Sequence, residues 1–332
     1  MDKLALISGE SFLYWNSIVY TLAAATAIAF FLAFYIGKCG NAVAGFAVVP
    51  MSIFFGLVAA RFFHWYCQAD SYNSFLTAMT DYTSGGYALM GVFLGCFLSA
   101  CLLRLIRLSR SLPEMLDCMA VSGCAGIAVG RLASLFNASD RGQVLVNFKS
   151  LPIVWPVTNA VSGAVEYRLA TFMLQSLVAL VLFIGLALFY IRGNKGGKRK
   201  DGDTCLIFLL IYGASQVVLD STRYDSLFFR SNGFVSVVQV LGALGLGLAI
   251  FLFSGRMVKA WGLKFWQFLL WLPMAACIGC AGYMEYYVQR RGNEAVFAYS
   301  VMSGCLVCVI LLALLIRSLA VKKERRLEYF VG

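Results

Sequence analysis

Long apolar runs separated by short polar intervals repeat along nearly the whole chain. Nine of them meet or approach the length of a membrane crossing: 13–36, 43–64, 85–108, 115–136, 169–191, 204–222, 233–254, 264–285 and 296–318. A helix rises about 1.5 Å per residue, so a hydrocarbon core about 30 Å thick takes roughly 20 apolar residues. The pattern predicts an all-α polytopic membrane protein with about nine transmembrane helices. The segment Met1–Glu10 has no basic lead, and the run after it is too long for the apolar part of a signal peptide. The first run is therefore expected to remain as a helix.

Composition agrees with this pattern. The chain has 332 residues, of which 61% are hydrophobic and 13% charged. Its mean hydropathy of +0.81 excludes an ordinary soluble domain. The net charge of +11 does not point to nucleic acid, because the basic residues cluster in alternate loops. Lys38, Arg104–Arg110, Arg192–Lys200, Arg256–Lys264 and the tail after Arg317 all fall on one side. The opposite side includes acidic loops such as Gln68–Thr83. Positive charge marks the cytoplasmic face, which places the N-terminus outside and the C-terminus inside. The loop Arg192–Asp203 reads as a flexible, solvated connector near anionic headgroups. The interval 137–168 is the longest outer segment, and Pro152, Trp155 and Pro156 interrupt any helix there.

The eleven cysteines lie mostly inside spans, where a thiol behaves as a small apolar group. Cys277 and Cys280, with Cys305 and Cys308 on the next span, have a spacing that allows a tetrahedral thiolate site. No histidine or charge accompanies them, so small-residue packing is the expectation, with no metal and no cofactor. Gly91, Gly95 and Ser99 in the third span face one way, as do Ser122, Gly126 and Gly130 in the fourth. Such faces let helices approach closely in lipid, and the two spans are expected to pack as an antiparallel hairpin.

Polar residues inside the spans gather at the outer ends. Arg61 and His64 close the second span and Tyr87 opens the third; Arg131 and Asn137 close the fourth, followed by Ser139, Asp140 and Gly142. Tyr212, Gln216, Asp220 and Arg223 finish the sixth, and Gln239 lies just inside the seventh. The inner ends show only simple flanking Lys and Arg. Any one such residue reads as snorkelling or as an interhelical hydrogen bond. The set reads as a polar cavity open to the outer leaflet, since an ionisable group in a span costs a few kcal/mol. Arg131, Arg223 and Arg61 would make it positive and suited to phosphate, with a lipid headgroup as ligand or a small anion as the alternative.

Several segments resemble the prolipoprotein diacylglyceryl transferase family. Gly130-Arg131-Leu132-Ala133-Ser134-Leu135-Phe136-Asn137, continuing to Gly142, is similar to its signature G-R-x-G-N-F-x-N-x-E-x-x-G. Asp117–Ala120 resembles the D-x-x-A-P lead-in, and Gly85–Gly95 the third-span G-G-x-x-x-H-G-G-x-x-G. Tyr212–Asp225 resembles Y-G-x-x-R-x-x-x-E-x-x-R-x-x-D, Ala60–Phe63 the second-span G-x-R stretch, and Gln239 a glutamine early in the seventh span. The resemblance covers roughly residues 13–254. It implies seven family spans in a core over 1–254, with two additional helices and a basic tail over 255–332.

The family reaction moves a diacylglyceryl group from phosphatidylglycerol, or another anionic phospholipid, to the lipobox cysteine at a prolipoprotein signal peptide. The resemblance implies Arg131, Asp220, Tyr87 and Tyr212 as catalytic residues. It implies Arg61, Asn137, Gln216, Arg223 and Gln239 as substrate-binding residues. Arg131 would bind phosphate with Asn137 shaping that site, and a plasma-membrane location follows. The departures are concrete. The third-span histidine is Met90, the signature's first asparagine is Ser134, and its glutamate is Ser139, with Asp140 next to it. In the sixth span an arginine is replaced by Gln216 and a glutamate by Asp220. A non-catalytic relative that binds or moves a lipid is therefore the second reading.

Overall fold

Each apolar run becomes a helix, and the polar intervals fold into turns and three small hairpins. A computed structural model describes residues 4–8, 11–81, 86–137, 139–145, 152–158, 163–195, 199–229, 232–291 and 294–331. The chain opens with β1 (Leu4–Ser8) and β2 (Ser11–Tyr14), then α1 (Trp15–Cys39), α2 (Ala42–Cys67), α3 (Phe75–Thr80), α4 (Leu89–Leu105) and α5 (Leu112–Gly130). A 3-10 turn, Arg131–Leu135, extends α5. There follow β3 (Val154–Thr158), β4 (Val165–Leu169), α6 (Thr171–Lys195), α7 (Asp203–Ser221), β5 (Phe228–Phe229) and β6 (Asn232–Ser236). The chain ends with α8 (Val237–Trp261), α9 (Phe265–Arg291) and α10 (Ala295–Val331). All three strand pairs are antiparallel.

Among the described residues, eight helices are long and apolar enough to cross a membrane. The ninth apolar helix, α4, has 17 residues, at the short end of the spanning range. It is shorter than the run 85–108 because its flanks leave helical geometry. Ala88 is extended, and Arg107 takes a left-handed φ of 60°. The first turn between spans is equally local in origin. Gly40 at φ 63° closes α1 by donating its N–H to the Ile36 carbonyl, and the Asn41 side chain accepts from Ala44 N–H to start α2.

The chain forms two compact units. One comprises Met1–Phe208 and Thr222–Val238; the other comprises Leu209–Ser221 and Gln239–Gly332. In the first unit, α2 packs on α4 and α1 on α5. Both small-residue faces are used, but not against each other as expected. A Cβ on Gly91 would lie 2.4 Å from the Ala59 carbonyl, and one on Gly95 2.3 Å from the Gly56 nitrogen, so this face belongs to α2. Gly126 instead faces Ala23 and Ala27 of α1, where a Cβ would approach the Ala27 methyl to 2.9 Å. Sequence adjacency suggested a hairpin partner, yet each face takes the helix that brings its own small residues. In the second unit, α9 and α10 form an antiparallel pair, and Gly213 of α7 meets Gly242 of α8 across a gap too narrow for any side chain.

The basic end of the first unit also corrects an expectation. Arg199 is not a solvated loop residue, since its side chain is 1% exposed. It pairs with Asp117, and with Glu114 at 2.8 Å; Lys38 meets Glu114 at 2.6 Å. Asp117 also accepts from the Gly202 and Cys205 N–H groups, at 2.8 and 2.7 Å, and so caps the start of α7. Asp201, outside the spans, has its carboxyl pushed up, first by its hydrogen bond to Glu114 and then by burial. Charges that looked like simple flanks are thus a buried network tying this loop to α1 and α5.

The α2–α4 interface makes a direct prediction. Gly95→Val places a side chain on backbone atoms and should lower stability by about 2 kcal/mol or more. Gly123→Ala, with nothing within 4 Å of the new methyl, should change it little. Thermal melting in detergent compares the two, and equal melting temperatures would contradict this packing.

Candidate functional site

The residues singled out in the sequence separate into three groups. The first forms where the end of α5 meets the segment following α7. Arg131 donates from Nη1 to Asp140 Oδ1 at 2.9 Å, and Arg223 Nη2 lies 2.8 Å from the same oxygen. The Ser134 hydroxyl donates to Asp140 Oδ2 at 2.8 Å. Asp225 completes the set, receiving the Asp140 backbone N–H at 2.8 Å and Arg223 Nε at 3.0 Å. Two guanidiniums separated by 92 positions in sequence therefore converge on one carboxylate oxygen. Their side chains are 12% and 11% exposed, so the cluster is shielded without being sealed.

Local geometry explains how the chain achieves this. Asp140 has a left-handed φ of 57°, a conformation that Asp tolerates better than most residues, and this turn points its carboxyl at both arginines. Gly142 then runs antiparallel to Arg223, and its N–H donates to the Leu169 carbonyl at 2.7 Å. A Cβ at Gly142 would lie 2.7 Å from both Leu169 Cβ and Thr171 Oγ1, so only glycine permits the approach. Tyr224 N–H donates to the Arg141 carbonyl, and Phe172 N–H to that of Asp140, lacing the loop to the start of α6.

Arg141 braces this loop from behind. Its Nη2 donates to the Ser134 and Asn137 carbonyls at 2.7 and 3.1 Å, and its guanidinium lies 4.5 Å from the Phe172 ring centre and 5.9 Å from Trp155. Burial pushes its pKa below the ordinary arginine value. Asn137 accepts from the Ser139 hydroxyl and N–H at 2.5 and 3.0 Å, and Tyr20 of α1 hydrogen-bonds it from another side.

Asp140 lies outside the spanning helices. Burial alone would raise its pKa, but Arg131, Arg223 and the Ser134 hydroxyl outweigh it and hold the carboxyl at about 2. The expected positive charge meets acids inside the site: Asp140 and Asp225 offset the charges of Arg131 and Arg223. Two cations are preset around a point, with acids holding them there.

The second group surrounds Arg61, which is 2% exposed. Its guanidinium donates to the carbonyls of Ala78, Asp81 and Gly86, at 2.5, 2.5 and 3.1 Å. The rings of Tyr72 and Tyr87 lie 5.0 and 5.5 Å from it. In this placement Arg61 holds the segment between α2 and α4. His64, the single histidine, has its Nδ1 2.8 Å from the Tyr72 hydroxyl. Tyr87 is 43% exposed.

The third group belongs to the second unit. Tyr212, Gln216 and Asp220 lie on successive turns of α7 and are 3%, 0% and 1% exposed. Gln239 of α8 donates to the Val217 carbonyl at 3.0 Å. Asp117, in the lead-in stretch, is 14 residues before Arg131, about 21 Å along a helix, and serves the opposite end of α5.

A sequence model of the family described as prolipoprotein diacylglyceryl transferase matches residues 4–255. The chain belongs to this family. A phosphatidylglycerol–prolipoprotein diacylglyceryl transferase of Lactococcus lactis subsp. cremoris is 27% identical over 263 residues, covering 78% of this chain and 96% of that protein. Proteins of the same name from Streptococcus pneumoniae and Streptococcus sanguinis are 27% and 24% identical, over 60% and 59% of this chain and 74% of their own lengths. The helices α9 and α10 lie beyond the family match.

The family motif's acid falls at Ser139, and Asp140 is the next residue. Asp140 takes a left-handed φ, and Ser134, at the motif's first asparagine position, donates to its carboxyl. The motif marks Ser134 and Ser139 as losses and singles out neither Asp140, Asp225 nor Arg141 as a site residue. A usable signal was present in the run Ser139-Asp140-Arg141-Gly142, an acid and a base before a glycine. Tyr20, six residues into α1, carried no such signal.

Asp140→Asn tests the cluster. A carboxyl held at about 2, below its ordinary 3.8, adds stability that is complete above pH 4 and is lost as pH falls toward 2. The variant should lose about 3 kcal/mol at neutral pH by leaving two shielded cations facing each other. It should also lose the part of the acid-induced destabilisation that falls between roughly pH 4 and 2. Melting curves across that range decide, and an unchanged acid profile would count against the arrangement.

Proposed function

We propose that this chain transfers a diacylglyceryl group from phosphatidylglycerol to the lipobox cysteine thiol of a prolipoprotein, at the outer face of the plasma membrane. Family membership and the names of the relatives support the reaction class. The observation that carries the reading is the convergence of Arg131 and Arg223 on Asp140 Oδ1. A phosphate bearing the leaving charge needs cations already in place, because donors that do not reorganise during reaction stabilise it most. Arg131 and Arg223 are those cations, and Asn137 shapes the segment beside them.

Tyr87, an exposed residue, contributes a hydroxyl, and Arg61 holds the Gly86 carbonyl just before it. Tyr212, Gln216, Asp220 and Gln239, to which the family motif assigns substrate roles, are buried polar groups of α7 and α8 in the second unit. The core spans 1–254, and the N-terminus faces outward. The bias of basic residues toward alternate loops supports that orientation.

One observation favours a second reading, a relative that binds lipid without turnover. Met90 stands where the family motif has histidine, and Gln216 where it has arginine. Purified protein incubated with phosphatidylglycerol and a lipobox peptide separates the two. The transferase reading predicts a mass gain of one diacylglyceryl group on the cysteine, reduced at least 100-fold in Arg131→Ala. Saturable phosphatidylglycerol binding without any mass gain would select the second reading.

A further inference from the structure

Four cysteines of the last two helices converge within the second unit. Cys277 and Cys280 lie one turn apart on α9, and Cys305 and Cys308 one turn apart on α10. The two helices are antiparallel, and distance from their shared turn sets the register. Cys280 is 11 residues before Arg291 and Cys305 is 10 after Ala295; Cys277 is 14 before and Cys308 is 13 after. Cys277 is therefore level with Cys308, and Cys280 with Cys305. The thiols meet accordingly. Cys277 is hydrogen-bonded to Cys308 and Cys305, and Cys305 also to Cys280. At about 1.5 Å per residue the pairs are about 15 to 21 Å from the turn, near the middle of a hydrocarbon core about 30 Å thick.

Packing does not account for this cluster. A small residue serves a membrane helix where a neighbouring backbone comes close. Yet a Cβ added at Gly279, Gly282 or Gly304 would meet nothing within 4 Å, so these small residues of α9 and α10 are not used that way. The deepest positions of the two helices belong to Met274, Ala281, Met302 and Val309, whereas all four cysteines are half-buried. The ligand geometry of a metal site is missing too. Among the described residues, no group of three or more His, Cys, Asp or Glu side chains could hold a metal ion. What remains is contact between thiols of two different helices, the arrangement from which a disulfide forms. There is no water at this depth, so the reagent that reaches the thiols must dissolve in lipid.

We propose that these four cysteines form a redox site that a lipid-soluble quinone oxidises to two disulfides, Cys277–Cys308 and Cys280–Cys305. For each disulfide, two S–H bonds break and one S–S bond forms. Two electrons and both protons pass to one quinone, which becomes the quinol, so no charge is left in the hydrocarbon. Oxidation ties α9 to α10 covalently, and one-turn spacing on each helix lets both bonds form side by side. The site is independent of the transferase reading.

The full chain, reduced and reconstituted in vesicles of phosphatidylglycerol and phosphatidylethanolamine, is treated with decylubiquinone, whose fully substituted ring resists addition of thiols. Peptide mass spectrometry should find segment 277–280 joined to segment 305–308 by both disulfides, with one quinol formed for each. Cys277→Ala combined with Cys308→Ala should keep the Cys280–Cys305 bond. Cys277→Ala combined with Cys305→Ala leaves one cysteine from each level pair and should form disulfide at least about tenfold less. Each variant carries two substitutions, so a general loss of folding does not separate them. Thiols that stay free, disulfides that join other cysteines, or equal yields from the two double variants would overturn the proposal.

Discussion

Two arginines held against one carboxylate set the terms for the rest of this molecule. In a low-dielectric surrounding, a guanidinium cannot be left without compensation, and two that point at the same place repel each other. Asp140 solves both problems by offering one oxygen to Arg131 and Arg223 together. Ser134 and Asp225 then fix the acid itself. To reach this geometry the chain takes a left-handed turn, spends a glycine at 142 and laces the post-α5 loop to α6 and to residues 223–224. The apolar helices of the first unit are the scaffold that keeps those segments together.

Much of the architecture was legible from hydropathy, because span length in lipid is a hard constraint. The helices, their order and the family were readable from residues alone. What escaped was whatever depends on partner choice. The Gly91–Gly95 and Gly126–Gly130 faces were visible as small-residue stripes, yet nothing in their spacing says that α2 and α1 receive them. Arg199 looked like one more basic loop residue, since Asp117 and Glu114, some 82 and 85 positions earlier, do not announce themselves as its partners. The three hairpins are short and have weak patterns of their own. Their pairing follows from the helix ends they join.

The candidate site was legible in its cations and obscure in its anions. Arg131, Arg223 and Asn137 were named from the motif, and the structure brings Arg131 and Arg223 onto one atom, with Asn137 in the same loop. Asp140 is visible in the sequence only as a neighbour of Ser139, the position of the motif's acid. Only a backbone with positive φ brings its side chain inward. Arg61 was grouped with the other arginines by depth, while its donors serve the loop carbonyls of Ala78, Asp81 and Gly86. Depth in a membrane is therefore a poor guide to which polar groups share a site. The same lesson applies to α9 and α10, whose plain sequence hides a buried glutamate.

The central claim, that Arg131 and Arg223 act on one phosphate, is tested most directly by a double-mutant cycle on phosphatidylglycerol binding. Affinity is measured for the wild type, Arg131→Ala, Arg223→Ala and the double variant. A shared phosphate predicts losses that fail to add, with a coupling of about 1 kcal/mol or more between the two positions. Losses that add to within about 0.3 kcal/mol would place the two arginines on separate tasks and contradict the account.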